Sequence, residues 1–146
     1  IVNALLVGRV VKALGERQTI IVGLIAGTAG FTIQAMAPNG ALYAVGVVVM
    51  SLWSLMNPAL QGWMTRLVSP SEQGRLEGAN GSVLGIATLI GPILFTQTFA
   101  TFIGAHRDWH LPGAPFLLSA ILLVSALAVA LRVMATRLQS VPAANP

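Results

Sequence analysis

An indole and two amides stand at helical spacing in a long part of the chain that carries no charged residue. Trp53, Asn57 and Gln61 each follow the last by four positions. At about 100° per residue, each step of four turns only about 40° around a helix, so the side chains share one face. An aromatic ring can stack on an organic solute, and amides donate and accept hydrogen bonds without ionising. We predict that this face lines a substrate pathway, with Gln34 as a further candidate.

Pro58 lies beside this face and predicts a bend in the helix. Proline removes one backbone hydrogen bond and leaves a carbonyl free. A second interpretation of the amides is that Asn57 and Gln61 bond neighbouring helices and stabilise a bundle. Trp63 falls outside the face, close to Arg66, and we interpret it as an aromatic residue of the membrane interface.

The residues that could support hydrolysis or metal binding do not form a recognisable site. His106 and His110 flank Asp108, but a Leu-Pro-Gly turn follows at once and the order differs from the H-E-x-x-H metalloprotease motif. Glu72 is explained by a capping box with Ser69 at the start of a helix. No nucleophile elbow or phosphate-binding loop is present in the sequence. We therefore predict no enzyme activity, no metal site and no cofactor.

The composition is that of an integral membrane protein. The 146 residues are 55% hydrophobic and only 8% charged, with a mean hydropathy of +0.82, whereas soluble domains hold about 25% charged residues. A soluble domain of this length could not cover its surface with so few polar side chains. The net charge of +4 comes from scattered basic residues without a stripe or reading motif, which excludes a nucleic-acid partner.

Charged residues and turns divide the chain into five apolar blocks. A membrane helix needs about 20 mainly apolar residues, and the first block is too short. We interpret it as the end of a helix whose start is missing, so that the chain is a C-terminal fragment of a larger protein. Residues 1–137 would form the helical bundle and residues 138–146 a disordered cytoplasmic tail. The predicted helices are 1–11, 18–36, 41–65, 70–104 and 114–134.

Basic residues predict the orientation of these helices. One set of helix ends carries nearly all of them, while the opposite set carries only Arg107, which Asp108 offsets. Short loops rich in Lys and Arg face the cytoplasm, so the C-terminus is predicted to be cytoplasmic. The basic residues at the cytoplasmic ends are Arg9, Lys12, Arg17, Arg66, Arg75, Arg132 and Arg137.

Small residues recur at spacings of three and four in two of the blocks. Such stripes let membrane helices approach closely, because lipid supplies no hydrophobic drive for their association. We predict that both stripes are packing faces in a helical bundle. The first is Gly23, Gly27 and Gly30, and the second is Gly78, Gly81, Gly85, Thr88 and Pro92.

The segment "GRVVKALGERQTI" resembles the loop signature of the major facilitator superfamily. Gly8, Gly15 and Arg17 match that signature. Lys12 stands where the signature has Asp, and Glu16 takes a usually basic place. These transporters have another copy of the signature in their first half, where a charge interaction is attributed to the Asp. Without the Asp, that interaction is not assigned to this loop. The resemblance implies a loop between helices 8 and 9 of a twelve-helix transporter.

A second set of residues is similar to helices 10 and 11 of the tetracycline-efflux group within this superfamily. The matching residues are "PALQ" from Pro58, "QG" from Gln73 and "GP" from Gly91 followed by "LF". The resemblance implies an all-α fold, in which the chain forms most of the C-terminal six-helix bundle. It also implies a drug:proton antiporter of the bacterial inner membrane. The implied partners are a small-molecule substrate, protons, the lipid bilayer and the missing N-terminal half.

One departure from the group concerns the substrate. Gly27 stands where the resemblance places an intramembrane Asp in helix 9, and acids inside a membrane are costly and usually functional. No acid falls within a predicted span, so proton-coupling acids are expected in the missing half. Two other functions stay open: a carrier for a nutrient such as a sugar or organic acid, and a membrane scaffold that transports nothing.

Overall fold

The computed structural model describes residues 14–104 and 113–139, with side chains as far as residue 136. These residues form helices and contain no strand. The predicted block 1–11, with Gly8, and the His106–His110 segment lie outside the described residues. The elements are α1 (Glu16–Met36), α2 (Gly40–Ser51), a 3-10 turn (Leu52–Leu55), α3 (Met56–Thr65), a 3-10 turn (Pro70–Glu72), α4 (Gln73–Ile103) and α5 (Ala114–Gln139).

Four helical segments of the described chain are long and apolar enough to cross a membrane. They are Glu16–Met36, Gly40–Thr65, Pro70–Ile103 and Ala114–Thr136, with mean hydropathies between 1.5 and 2.5. Each corresponds to one predicted block, although α5 continues to Gln139, beyond the predicted end at residue 134. The 31 residues of α4 are about 46 Å long, so this helix extends beyond a hydrocarbon core of about 30 Å.

The second of these segments changes its helical geometry just before Pro58. Residues Leu52–Leu55 form a 3-10 turn, in which the N–H of Met56 donates to the carbonyl oxygen of Trp53. In a continuous α-helix the carbonyl of Ser54 would accept from residue 58, and proline has no N–H to donate. The tighter turn therefore stands where proline interrupts the α-helical hydrogen bonds.

Helix α1 lies at the centre of the described bundle. It packs against α2, the Leu52–Leu55 turn, α3 and α5, and its glycines allow the close approach. A Cβ added at Gly30 would lie 2.7 Å from the backbone nitrogen of Met50, and one at Gly23 would lie 3.0 Å from Cβ of Met56. The predicted glycine stripe of α1 is thus buried at a helix contact, as small residues in membrane bundles usually are.

Helix α4 has no fully buried residue, and among the long helices it contacts α5 most. Apart from the neighbouring backbone of α4 itself, no atom of the described chain lies within 4 Å of a Cβ added at Gly78, Gly81 or Gly85. This second stripe therefore faces away from the helices that the structure describes. Pro92 lies inside α4, which continues through it as one helix.

Local hydrogen bonds define where the helices begin. Gly15 precedes α1 with φ 81° and ψ 160°, and its carbonyl accepts from the N–H and the hydroxyl of Thr19 at 3.1 Å and 2.8 Å. Asn39 caps α2 by accepting from the N–H of Leu42 at 2.9 Å. Ser69 and Glu72 form the predicted capping box, in which the backbone N–H of Ser69 donates to the Glu72 carboxylate at 3.2 Å.

Candidate functional site

The 3-10 turn separates Trp53 from the two amides that the sequence placed beside it. A 3-10 helix has three residues per turn, about 120° for each, so Trp53 is rotated relative to Asn57 by more than an α-helix would allow. Trp53 is half-buried against α1, whereas Asn57 is exposed to the surroundings of the bundle. The predicted single face of three side chains is therefore divided between two directions.

Trp53 rests on Gly27 of α1. A Cβ added at Gly27 would lie 3.1 Å from Cγ of Trp53 and 3.0 Å from Cδ1 of Leu123. These distances are shorter than ordinary carbon–carbon contacts. The indole therefore occupies the space beside α1 into which a longer side chain at position 27 would extend.

A chain of aromatic rings extends from Trp53 along one side of the bundle. The rings of Phe31 and Trp53 have centroids 6.0 Å apart at 65°, an edge-to-face arrangement. Phe31 also stacks on Phe116, with centroids 6.4 Å apart at 28°. Tyr43 meets Phe116 edge to face at 6.0 Å. Residues from α1, α2, α5 and the 3-10 turn thus form one aromatic cluster.

Next to this cluster is a cavity of about 320 Å³, here called the aromatic cavity. Its lining comes from α1, the 3-10 turn, α4 and α5 and contains no ionisable side chain. The Nε1 atom of Trp53 is buried and has no hydrogen-bond partner among the described residues. Buried donors in folded proteins are nearly always paired, so this unpartnered indole N–H is unusual. The lining residues are Phe31, Trp53, Phe95, Ser119, Leu122 and Leu123.

Gln61 and Gln34 lie away from the aromatic cavity and have partners of their own. The Gln61 amide donates to the carboxylate of Glu77 and so joins α3 to α4. Gln34 is buried between α1 and α2, where its amide lies 3.5 Å from the sulfur of Met50. Its Cγ would lie 2.8 Å from a Cβ at Gly46. Gln61 thus contacts a neighbouring helix, the arrangement that the second interpretation expects of it, and Gln34 also contacts a neighbouring helix.

Charged residues collect where α1 and α4 begin and α3 and α5 end, here called the arginine-bearing end. Arg66 pairs with Glu16 at 3.1 Å, and the guanidinium of Arg17 lies 5.9 Å from the ring centroid of Trp63. All three acids in the described part of the chain, Glu16, Glu72 and Glu77, belong to this end. No group of three or more His, Cys, Asp or Glu side chains that could hold a metal occurs within residues 14–104 and 113–139.

Phe31, Phe95 and Ser119 were not predicted as site residues. They lie far apart along the chain, and each is ordinary for an apolar helix. The sequence contains one indication that Phe31 lies near the site, because it follows Gly27 by four positions and so shares its face of α1. Their convergence on one cavity depends on how α1, α4 and α5 rotate against one another.

Comparison with known proteins places the chain in a family. The model of the major facilitator superfamily matches residues 1–145. A class G tetracycline resistance protein of Vibrio anguillarum is 30% identical over 109 residues, which cover 75% of this chain and 28% of that protein. A class C tetracycline resistance protein of Escherichia coli is 29% identical, with coverages of 67% and 25%.

A more distant relative comes from an animal. Hippocampus abundant transcript-like protein 1 of Rattus norvegicus is 26% identical, with 84% of this chain and 27% of that protein covered. No solved structure matches the chain. The chain thus spans between a quarter and three-tenths of the length of these three relatives.

The family match and the four apolar helices together confirm the predicted all-α fold of a multi-pass membrane protein. They also confirm the resemblance to the tetracycline-resistance type of transporter that the sequence motifs indicated. The chain belongs to the major facilitator superfamily.

Proposed function

We propose that this chain is part of a secondary active transporter that exports a small amphipathic drug, tetracycline-like in character, in exchange for protons. The bacterial relatives are tetracycline resistance proteins, which supports a drug as substrate. In such carriers, two bundles rock against each other around a site near the middle of the membrane. The arginine-bearing end would face the cytoplasm of a bacterium, following the positive-inside rule.

The observation that carries this proposal is the aromatic cavity itself, which is lined by Trp53, Phe31 and Phe95. The rings of Trp53, Phe31 and Phe95 offer stacking surfaces to a flat polycyclic molecule. The indole N–H is buried without a partner among the described residues, and it would donate to a carbonyl or hydroxyl oxygen of a solute that displaces the side chains around it. Because the lining is uncharged, the cavity favours a neutral or internally compensated solute over a simple ion.

The rest of the transporter would complete this bundle. Helix α4 leaves its glycine stripe without a neighbour in the described chain, and small-residue faces of membrane helices generally pack against another helix. We assign that neighbour to the missing N-terminal part of the protein. The same part would hold the acids that couple transport to protons, because no acid lines the aromatic cavity.

Drug transport by the intact protein in inside-out vesicles tests the role of Trp53. Trp53→Phe keeps a ring but removes the N–H, and the expected result is a KM for the drug raised about 5- to 10-fold, the value of one hydrogen bond of about 1–1.5 kcal/mol. Trp53→Leu removes the ring as well and should reduce transport further. Phe99→Leu, an exposed aromatic of α4, serves as the matched control.

Unchanged KM in both Trp53 variants, at equal expression, would show that the indole only packs the bundle. The same vesicles test Gln61→Ala, for which unchanged efflux would assign the amide to helix packing alone. If drug uptake by the vesicles is not accompanied by release of protons, that result would contradict antiport and favour a facilitator.

A further inference from the structure

A second cavity lies closer to the arginine-bearing end than the aromatic cavity does and shares no lining residue with it. It is a groove of about 440 Å³ between α1, α3 and α5, and its lining is almost wholly apolar. Met56 and Trp63 both line it, and seven residues of helix separate them, so the groove follows α3 for about 10 Å. We call this the tail groove. Its lining includes Ile20 and Leu24 of α1, Leu60 and Trp63 of α3, and Ala126 and Val133 of α5.

One end of the tail groove carries a positive charge. Trp63 lines the groove, and the guanidinium of Arg17 lies 5.9 Å from the centroid of the Trp63 ring. Arg17, Ile20 and Leu24 are spaced by three and four residues, so the arginine continues the α1 face that forms the groove. The groove therefore has an apolar body and a cationic end.

The charge of Arg17 is not neutralised by a carboxylate in the described chain. Glu16 is the acid nearest to Arg17 in the sequence, and among the described residues it forms its ion pair with Arg66 instead. A cation held over an aromatic face keeps its donors available for a second, anionic partner. Guanidinium groups bind phosphate oxygens particularly well, because two parallel N–H bonds match their geometry.

We propose that the tail groove binds one anionic phospholipid, with an acyl chain along the apolar lining and the phosphate at Arg17. The apolar lining and the cation at its end together match a ligand that has a hydrocarbon tail and a negative head. A transported drug would instead need polar groups within the lining to orient it. The arginine-bearing end lies at the membrane surface of α1 and α3, which is the depth at which lipid phosphates are found.

Native mass spectrometry of the intact transporter, purified in a mild detergent, tests this site. The probes are phosphatidylglycerol and phosphatidylcholine with identical acyl chains. The wild-type protein should retain one phosphatidylglycerol in preference to phosphatidylcholine. Arg17→Gln should lower that preference about fivefold, the factor expected for one basic residue at a charged lipid surface. Arg75→Gln, an exposed arginine of α4 at the same end, should leave the preference unchanged.

The apolar part of the site is tested separately. Ala126 lines the groove and is exposed, so Ala126→Phe should fill the groove and reduce retention of both lipids. Ala128→Phe, two residues along α5 and pointing about 200° away, is the matched control. Ala126→Leu repeats the test with a smaller side chain, in case the larger one prevents folding.

Three results would overturn the proposal. Equal losses in Arg17→Gln and Arg75→Gln would show a general attraction of the basic end for anionic lipid. Full retention in both Ala126 variants would show that another part of the transporter, and not a lipid, fills the groove. Equal binding of the two lipids by the wild type would show that Arg17 does not select an anionic headgroup. None of these readouts depends on the drug or on proton exchange.

Discussion

The indole of Trp53 lies directly on Gly27, with only 3.1 Å between Cγ of the indole and the place a Cβ at position 27 would take. This contact joins the 3-10 turn before Pro58 to the central helix α1. The two residues attract attention in the sequence for different reasons, Trp53 as a predicted pathway residue and Gly27 as a departure from an intramembrane Asp. The structure relates them, since the indole occupies the space that an aspartate would need.

A side chain at position 27 should therefore destabilise the bundle. For Gly27→Ala we expect a loss of about 1–3 kcal/mol, the usual cost of overpacking, and for Gly27→Asp a larger loss, because the buried charge would have no partner there. Thermal unfolding of the purified transporter, followed by fluorescence, measures both. Gly40→Ala is the control, since its Cβ would meet nothing within 4 Å.

The double variant Gly27→Ala with Leu123→Ala identifies the contact responsible. Cδ1 of Leu123 lies 3.0 Å from the added Cβ, so shortening this side chain should recover part of the loss. If the double variant unfolds at the temperature expected from adding the two single losses, the overpacking is against Trp53 alone.

Gly30 should tolerate a side chain less well than Gly27. The atoms nearest an added Cβ at Gly30 include the backbone nitrogen of Met50 at 2.7 Å, and backbone cannot rotate away as a side chain can. Gly30→Ala should thus separate α1 from α2 and lower the unfolding temperature more than Gly27→Ala does. Met50→Ala should give no relief, and recovery in that double variant would contradict the backbone explanation.

The Gln61–Glu77 hydrogen bond should couple α3 to α4. Glu77→Gln keeps an acceptor oxygen and should change stability little, whereas Glu77→Leu removes it. In a double-mutant cycle with Gln61→Leu, we expect a coupling of about 0.6–1.7 kcal/mol, the range measured for hydrogen bonds between membrane helices. A coupling indistinguishable from zero would show that each side chain acts alone.

Gly15 should resist replacement because of its backbone. Its φ of 81° with ψ of 160° lies in a region that glycine alone adopts readily, and strain there costs roughly 1–3 kcal/mol. Gly15→Ala and Gly15→Asn should both lower the unfolding temperature. Asparagine relieves strain only in the left-handed helical region, so rescue by Gly15→Asn would show that the loop adopts a different conformation.

Several features of the fold were predictable because they depend on neighbouring residues. The four spans follow from runs of apolar side chains, the start of the 3-10 turn at Pro70 follows from the capping box, and Pro58 marks a break in hydrogen bonding. The glycine stripe of α1 was also predicted as a packing face, and the structure buries it against α2 and α3.

The candidate site was less predictable. A regular α-helix would have placed Trp53, Asn57 and Gln61 on one face, but the 3-10 turn rotates Trp53 toward α1. Glu77 follows Gln61 by 16 positions, and no local pattern links them. Phe95 reaches the aromatic cavity only because α4 packs against α5 at that level.

The sequence by itself determined that this chain crosses a membrane as helices, where those helices lie, and to which superfamily they belong. These properties can be read from short segments of the chain. Each membrane helix forms its backbone hydrogen bonds within its own segment, and the hydropathy of a segment depends only on its own residues. The tertiary structure alone decided which polar and aromatic groups meet, leaving the Trp53 N–H without a partner among the described residues and giving Gln61 a carboxylate partner. Those contacts depend on the rotation of one helix against another, and small changes of backbone geometry are enough to redirect a side chain.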